Sequence, residues 1–506
     1  MLFPRSSGLL LHPTCLPSPH GIGDLGQAAY DFVNFLAAAD QQFWQVLPLG
    51  PTGYGNSPYM CYSAIAGNPL LISLEDLRNQ GLLTDEDLNS LPEFPRHTVD
   101  FDQVVATKIP LLEKAAINFQ AQADEADLEE FHQFCQHTAA WLDDFALFMA
   151  LKAANDGAAW HTWAANLAQR QPAAIAQQHQ QLAAEIFALK FQQFEFFRQW
   201  SRLKAFANEQ GIQIIGDIPI YVAHDSADVW ANPQFFELDP ETSEPAFMAG
   251  VPPDYFSATG QLWGNPTYAW DAMDKDRYCW WVSRFRRLLD FVDVIRVDHF
   301  RGFEAYWQVP KGEETAENGE WIAGPGAALF EVVAQELGRL PILAEDLGDI
   351  TPEVIELRDQ FEFPGMKILQ FAFGSDSDNS FLPFNYARNC VVYTGTHDND
   401  TVIGWYEQLS DYEQGRISSY LGCISPDGIH WDLIRLGLSS IANQMIIPLQ
   451  DLFGLDTSAR MNFPGKPEGN WVWRYQAEDL NQGVGDRLRQ LTHLFGRNPK
   501  PRPSQD

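Results

Sequence analysis

Short apolar runs, each closing on polar residues, recur along this chain, and helical patterns fill the intervals between them. Gly8-Leu-Leu-Leu-His-Pro predicts a first strand, followed by a Gly/Pro-rich loop through Gly26 and a helix over Ala28–Ala39. Phe43–Leu49 predicts a second strand that runs into Gly50-Pro-Thr-Gly-Tyr-Gly-Asn-Ser-Pro-Tyr59, a loop whose glycines permit tight turns. From about Leu71 to Leu203 the pattern is helical. Thr84 is placed as an N-cap with Asp87 three residues on, and Phe187, Phe191, Phe194, Phe197, Trp200 and Leu203 recur at the three- and four-residue steps of a packed helix face. Gly211–Tyr221 restores the strand pattern, and Phe291–Val297, Leu340–Gly348, Met366–Phe373, Asn389–Asp398 and Asn443–Leu449 continue it. In the Phe291–Val297 run, Val292, Val294, Ile295 and Val297 show no alternation to a polar face, as a strand buried on both sides requires.

Eight strand-like runs separated by helical stretches, with polar residues at their C-terminal ends, predict an α/β fold: a (β/α)8 TIM barrel whose site lies at that face. The competing doubly wound sheet lacks a G-x-G-x-x-G turn after its first strand. Residues 1–70 form the first strands and the tyrosine loop, 71–203 a helical insertion, and 204–497 the rest of the barrel with a loop insertion at about 222–290. Within that insertion, 222–270 reads as a polar, Pro/Gly/aromatic connection of the kind that makes lids and binding loops. The tail 498–506, with three prolines, is expected to be disordered. The inserted subdomains are thus expected to be mainly helical.

Composition narrows the partners. The 506 residues carry 33 basic and 67 acidic side chains, a net charge of −34, which argues against nucleic acid, anionic membrane and polyanionic substrates and favours a neutral ligand. The six cysteines are scattered with no C-x-x-C pair, so a reduced, cytoplasmic protein without disulfide framework or zinc ribbon is expected. The leucines near the N-terminus are too few for a signal peptide or membrane span. Oligomeric state stays open, with a monomer or weak dimer as the working expectation. Aromatic residues make up 13% of the chain; most belong to the core, and flat sugar rings are one ligand that uses such faces.

Three acids stand at strand ends: Asp298, Glu345 and Asp398, 47 and 53 residues apart. Arg296 and Asp298 leave the same strand face, and a guanidinium beside a carboxylate keeps it ionised; taken alone the pair is equally a structural ion pair. In a barrel the three converge on one pocket. Glycoside chemistry needs a carboxylate at the anomeric carbon and a protonated carboxylic acid at the leaving oxygen. Asp298 is the candidate nucleophile. Glu345, between Ile342-Leu-Ala and Asp346, gains proton affinity from apolar neighbours and a like charge, as an acid/base requires. Asp398 remains for sugar hydroxyls and the transition-state charge. Tyr54 and Tyr59 either stack on sugars or anchor their loop; Asp217 and Trp263 are likewise open to structural readings. No metal is expected, because H-x-x-x-H and H-E-x-x-H spacings are missing and the loop from Asp376 lacks glycine at its sixth position (Phe381) and glutamate at its twelfth (Ala387).

The motifs Val-Ile-Arg-Val-Asp298-His-Phe-Arg-Gly, Leu-Ala-Glu345-Asp-Leu-Gly and Thr-His-Asp398-Asn-Asp resemble the catalytic motifs of the α-amylase clan. With Leu47–Tyr59, Gly216–Ser226, Pro252–Ser257 and Arg460–Gly465, the chain resembles the 4-α-glucanotransferase (amylomaltase) family from Gly8 to about Trp473. That resemblance implies Asp298 as nucleophile, Glu345 as general acid/base and Asp398 as transition-state stabiliser, with Tyr59, Asp217, Trp263, Arg296, His299, Asp346, His397 and Asn462 lining the sugar sites. It also implies α-1,4-glucans and maltooligosaccharides as partners, no C-terminal β-sandwich, and no metal or cofactor. An α-1,4-glucan hydrolase with the same acids and a non-catalytic glucan-binding protein are the alternatives. Three intact acids count against the second.

Overall fold

All eight apolar runs pair side by side. In the computed structural model, which describes residues 3–253, 257–466 and 468–499, they close into a parallel barrel. Its strands are β1 (Ser6–Leu10), β2 (Phe43–Gln45), β3 (Gln213–Ile218), β6 (Val294–Val297), β9 (Ile342–Ala344), β10 (Gly365–Ile368), β11 (Cys390–Tyr393) and β12 (Gln444–Pro448), in the circular order β1-β12-β11-β10-β9-β6-β3-β2. The remaining strands are β4 (Phe247–Val251), β5 (Gln261–Pro266), β7 (Ala305–Pro310) and β8 (Glu320–Ala323).

Every residue of β1, β6, β9, β11 and β12 is buried, which is why these segments read as unbroken apolar runs: helices or neighbouring side chains cover both faces. At Gly216 in β3 the close fit leaves no room for a side chain, since a Cβ would stand 2.4 Å from a Val292 methyl. The register then fixes the chemistry. Asp217 of β3 lies opposite Arg296 of β6, and Val297 of β6 opposite Ala344 of β9, so the residues leaving these strands emerge side by side at one mouth.

Helices occupy most of residues 74–209, including Phe101–Gln122, Glu125–Ala154 and Ala183–Glu209. Thr84 and Asp87 form the expected capping box. On the last of these helices Phe191, Phe194, Trp200 and Leu203 are buried, and Trp200 Nε1 donates to the Phe291 carbonyl at 2.8 Å, tying this helix beneath β6.

The stretch 222–270, expected to be a connection, instead contributes β4 and β5 to a four-stranded antiparallel sheet in the order β5-β4-β7-β8. Its pairing partner β7 lies more than fifty residues beyond β4, and Gly250, Gly264 and Pro266 break any local alternation, so the strands have no signature in isolation. The sheet hangs directly from the turn after β6. Of the Pro252–Phe256 motif, residues 254–256 lie outside the described residues, as do 500–506 of the tail. Among the described residues no helix is long and apolar enough to cross a membrane, and no group of three or more His, Cys, Asp or Glu side chains is arranged to hold a metal.

Candidate active site

One buried guanidinium organises the mouth of the barrel. Arg296 Nη1 donates to Asp217 Oδ2 at 2.6 Å and to Asp298 Oδ1 at 2.8 Å, so the ends of β3 and β6 share a cation. Burial alone would weaken its hold on its proton, but Asp217 and then Asp298 outweigh that and keep Arg296 charged well above the ordinary range. Asp217 is itself buried and its proton affinity is raised by that burial, against the pull of Arg296; Tyr59 Oη donates to its Oδ2 at 2.7 Å. Asp298 is different: its side chain is 27% exposed and faces the opening with one oxygen on Arg296.

Glu345 follows β9, the barrel neighbour of β6, and is 9% exposed. Its Oε2 accepts the His299 N–H at 2.6 Å and its Oε1 the Leu347 N–H at 3.0 Å. The left-handed backbone of His299 (φ +50°) turns that N–H back toward the glutamate. Burial first, and then the charge of Asp298, push the Glu345 pKa up to about 8 despite Arg296 and the two N–H donors. The like charge was expected from the adjacent Asp346. It comes instead from Asp298 across the strand gap, because the Asp346 carboxylate is committed to Arg358 and to the Met366 N–H at 2.7 Å.

Asp398 closes the third side. Its Oδ1 accepts from Asn462 Nδ2 at 2.6 Å, His397 Nε2 stands 3.4 Å from its Oδ2, and Arg460 donates to its backbone carbonyl at 2.6 Å. His397 stacks on Tyr59 at 5.1 Å, and Trp471 packs against both rings. On the β6 side, Trp263 meets His299 edge to face at 4.9 Å. Burial lowers the His299 pKa to about 4, so its ring is neutral at ordinary pH. His299 Nε2 and Asp217 Oδ1 are buried with no hydrogen-bond partner among the described residues. Such groups are what a bound polyhydroxylated ligand can satisfy.

Hydrogen bonds, an ion pair and a ring contact thus connect Tyr59, Asp217, Arg296, Asp298, His397, Asp398 and Asn462, and a second set, His299, Glu345 and Trp263, joins them where His299 follows Asp298. Tyr54, 76% exposed on its loop, stands outside this packed set, and Asp346 is engaged elsewhere. Arg460 and Trp471 also belong to the site, although neither stands out in the sequence. Arg460 opens the Arg460–Gly465 motif, but its role is set by a backbone carbonyl 62 residues away. Trp471 has no local signal.

A closed parallel barrel carrying ionisable carboxylates of unlike environment at the ends of neighbouring strands defines a (β/α)8 enzyme with an acid/base site of its own, built from side chains. The model of the 4-alpha-glucanotransferase family matches residues 11–480. A 4-alpha-glucanotransferase of Synechocystis is 55% identical over 98% of this chain and 99% of that protein; one from Thermus thermophilus is 48% identical over 98% and 100%. The structure of an amylomaltase from Streptococcus agalactiae in complex with acarbose superposes with a TM-score of 0.95 at 38% identity, covering 98% of this chain and 100% of that one. The chain belongs to the 4-alpha-glucanotransferase family, and its activity is that of a glucanotransferase.

Proposed function

We propose that the chain moves a segment of an α-1,4-glucan onto the 4-hydroxyl of an acceptor glucan or glucose by retaining double displacement. Asp298 attacks C1 while Glu345 protonates the leaving 4-oxygen; a covalent glycosyl-enzyme forms and the shorter sugar departs. Glu345 then takes the proton of the acceptor hydroxyl as that oxygen attacks C1, and the chain is transferred with its α configuration. Asp398 stabilises the positive charge that develops on the sugar, held in place by Asn462 and Arg460. The observation that carries this reading is the contrast between two carboxylates on adjacent strands: Asp298 beside Arg296, and Glu345 enclosed with a pKa of about 8.

Tyr59, His397, Trp263 and His299 supply the faces and polar atoms for sugar rings, and Asp217, Arg296 and Asn462 hold them in place. Asp346 acts at one remove, by fixing the β9 exit against β10. Tyr54 offers an exposed ring for glucan further from the reacting bond. The helical segment 71–203 and the loop insertion at about 222–290 are read as additions to the barrel that shape this cleft. Acidic charge disfavours nucleic acid and anionic membranes as partners, and six unpaired, scattered cysteines suit a cytoplasmic enzyme working as a monomer or weak dimer on starch- or glycogen-type glucan.

Maltotriose given as sole substrate, without metal or cofactor, tests the reading. Glucose together with maltooligosaccharides longer than three units is the expected product; maltose and glucose alone would mark a hydrolase, and no turnover a binding protein.

A further inference from the structure

Arg301 lies three residues beyond Asp298, on the turn Phe300–Phe303, and its buried guanidinium touches three separate parts of the chain. Nη1 donates to the backbone carbonyl of Asp349, four residues past Glu345. Nε points at the carbonyl of Ala305, the first residue of β7, at 3.4 Å. The guanidinium carbon sits 3.7 Å from the ring centroid of Trp321 on β8, the edge strand of the antiparallel sheet. Trp321 is itself braced by Trp307, whose ring meets it at 5.3 Å and 68°. The Asp349 carboxylate is exposed and 3.9 Å away, so the carbonyl is the partner that defines the geometry.

Two shorter links already join the Asp298 turn to Glu345: the Phe300 N–H to the Glu345 carbonyl at 3.0 Å and the His299 N–H to Oε2. Neither restrains the segment 347–349, whose Leu347 N–H holds Oε1. We propose that Arg301 is a positioning residue for the transfer reaction: it straps the loop after Glu345 to the turn after Asp298, and through Trp321 it makes their separation depend on the antiparallel sheet. The planar fork suits this role, since one guanidinium donates along its edge while its face lies on an indole, which an ammonium cannot do. This inference rests on the roles given above to Asp298 and Glu345. Displacing a reacting group by about 1 Å can cost on the order of 100-fold in rate. Letting the 347–349 segment open would also hydrate Glu345, whose high proton affinity comes first from burial.

The experiment compares Arg301→Met, Arg301→Lys and Trp321→Ala with the unmodified full chain, measuring kcat, KM and the pH profile of maltotriose transfer, with folded fraction checked by circular dichroism. Arg301→Met is expected to lower kcat about tenfold or more with KM within about twofold. Its alkaline limb should move to lower pH, Arg301→Lys should recover part of kcat, and Trp321→Ala should shift the limb in the same direction by less. An unmoved limb, with kcat falling only as the folded fraction falls, overturns the strap. If Arg301→Met does not fold, Trp321→Ala decides the matter by the same limb. Glu345→Gln separates the two levels: full activity there would defeat the acid/base assignment itself, whereas lost activity there with an unmoved limb in both strap variants defeats only the role of Arg301.

Discussion

The two mouths of the barrel handle buried charge in opposite ways. At the C-terminal mouth, Asp217, Asp298 and Glu345 gather around the single guanidinium of Arg296, so acids outnumber the cation and one of them is driven to hold a proton. At the N-terminal mouth two arginines gather with no carboxylate partner among the described residues. Arg497 is fully buried and donates to the carbonyls of Ser6, Leu438 and Ala442 at 2.8–2.9 Å, while Arg5 reaches those of Leu438, Ser440 and Phe495. Leu438 and Ser440 end the helix Ile429–Ser439, whose last carbonyls carry the negative end of its dipole. The lower mouth therefore satisfies backbone groups and locks the first and last barrel strands to the C-terminal helix Gln482–Leu494. The upper mouth leaves charge imbalanced, and that imbalance is what an acid/base needs. Stability and reactivity are thus separated along the barrel axis.

The sharpest way to test that separation is Glu345→Gln. Transfer should fall by about 10²- to 10⁴-fold, the range for loss of a general acid/base. Stability should move the other way. Folded Glu345 keeps its proton up to about pH 8, whereas in the unfolded chain it ionises near its ordinary value of 4.5, so the native protein loses stability as pH rises through that window. The amide removes that loss, and urea midpoints at pH 7–8 should be higher for the variant. Equal or lower midpoints would contradict the assigned environment.

Arg497→Met is the mirror experiment. The Ser6 carbonyl loses its Arg497 donor while those of Leu438 and Ala442 keep Arg5, so a loss of about 1–3 kcal/mol is expected in urea unfolding, with kcat and KM of the folded enzyme unchanged. A fall in kcat at full folding would show that the two mouths are not independent.

The pairing of strands was legible because each barrel strand is one uninterrupted apolar segment, and the candidate acids stood out because they end such segments. What was hidden depends on contacts between distant segments. β4 and β5 acquire strand character only from β7. The like charge on Glu345 comes from Asp298 at the end of the neighbouring strand, while Asp346, next in sequence, belongs to Arg358. Arg460 and Trp471 sit on the exit from β12 yet brace Asp398 and Tyr59, an arrangement that only closure of the barrel creates.

Smaller effects sharpen the picture of the upper mouth. His299 resists protonation until about pH 4, while the unfolded chain takes up its proton near 6.5, so stability present above 6.5 is lost as pH falls through that window. His299→Gln should flatten the dependence of the urea midpoint between pH 6.5 and 4, by up to about 3 kcal/mol. An unchanged slope would mean that the imidazole is not held neutral. The least drastic change is Tyr59→Ala, which removes the ring stacked on His397 and the donor to Asp217. Water should then compete better with acceptor sugar, and the ratio of transfer to hydrolysis from maltotriose should drop several-fold; an unchanged ratio would deny the tyrosine that role.

Direct evidence for the division of labour among the carboxylates would come from Glu345→Gln incubated with α-maltosyl fluoride, whose leaving group needs no proton but whose glycosyl-enzyme then lacks a base for release. Mass spectrometry of the quenched, digested protein should find a maltosyl adduct on the peptide that carries Asp298. An adduct on another residue, or fluoride released with inversion at the anomeric carbon and no adduct at any time, would contradict the account.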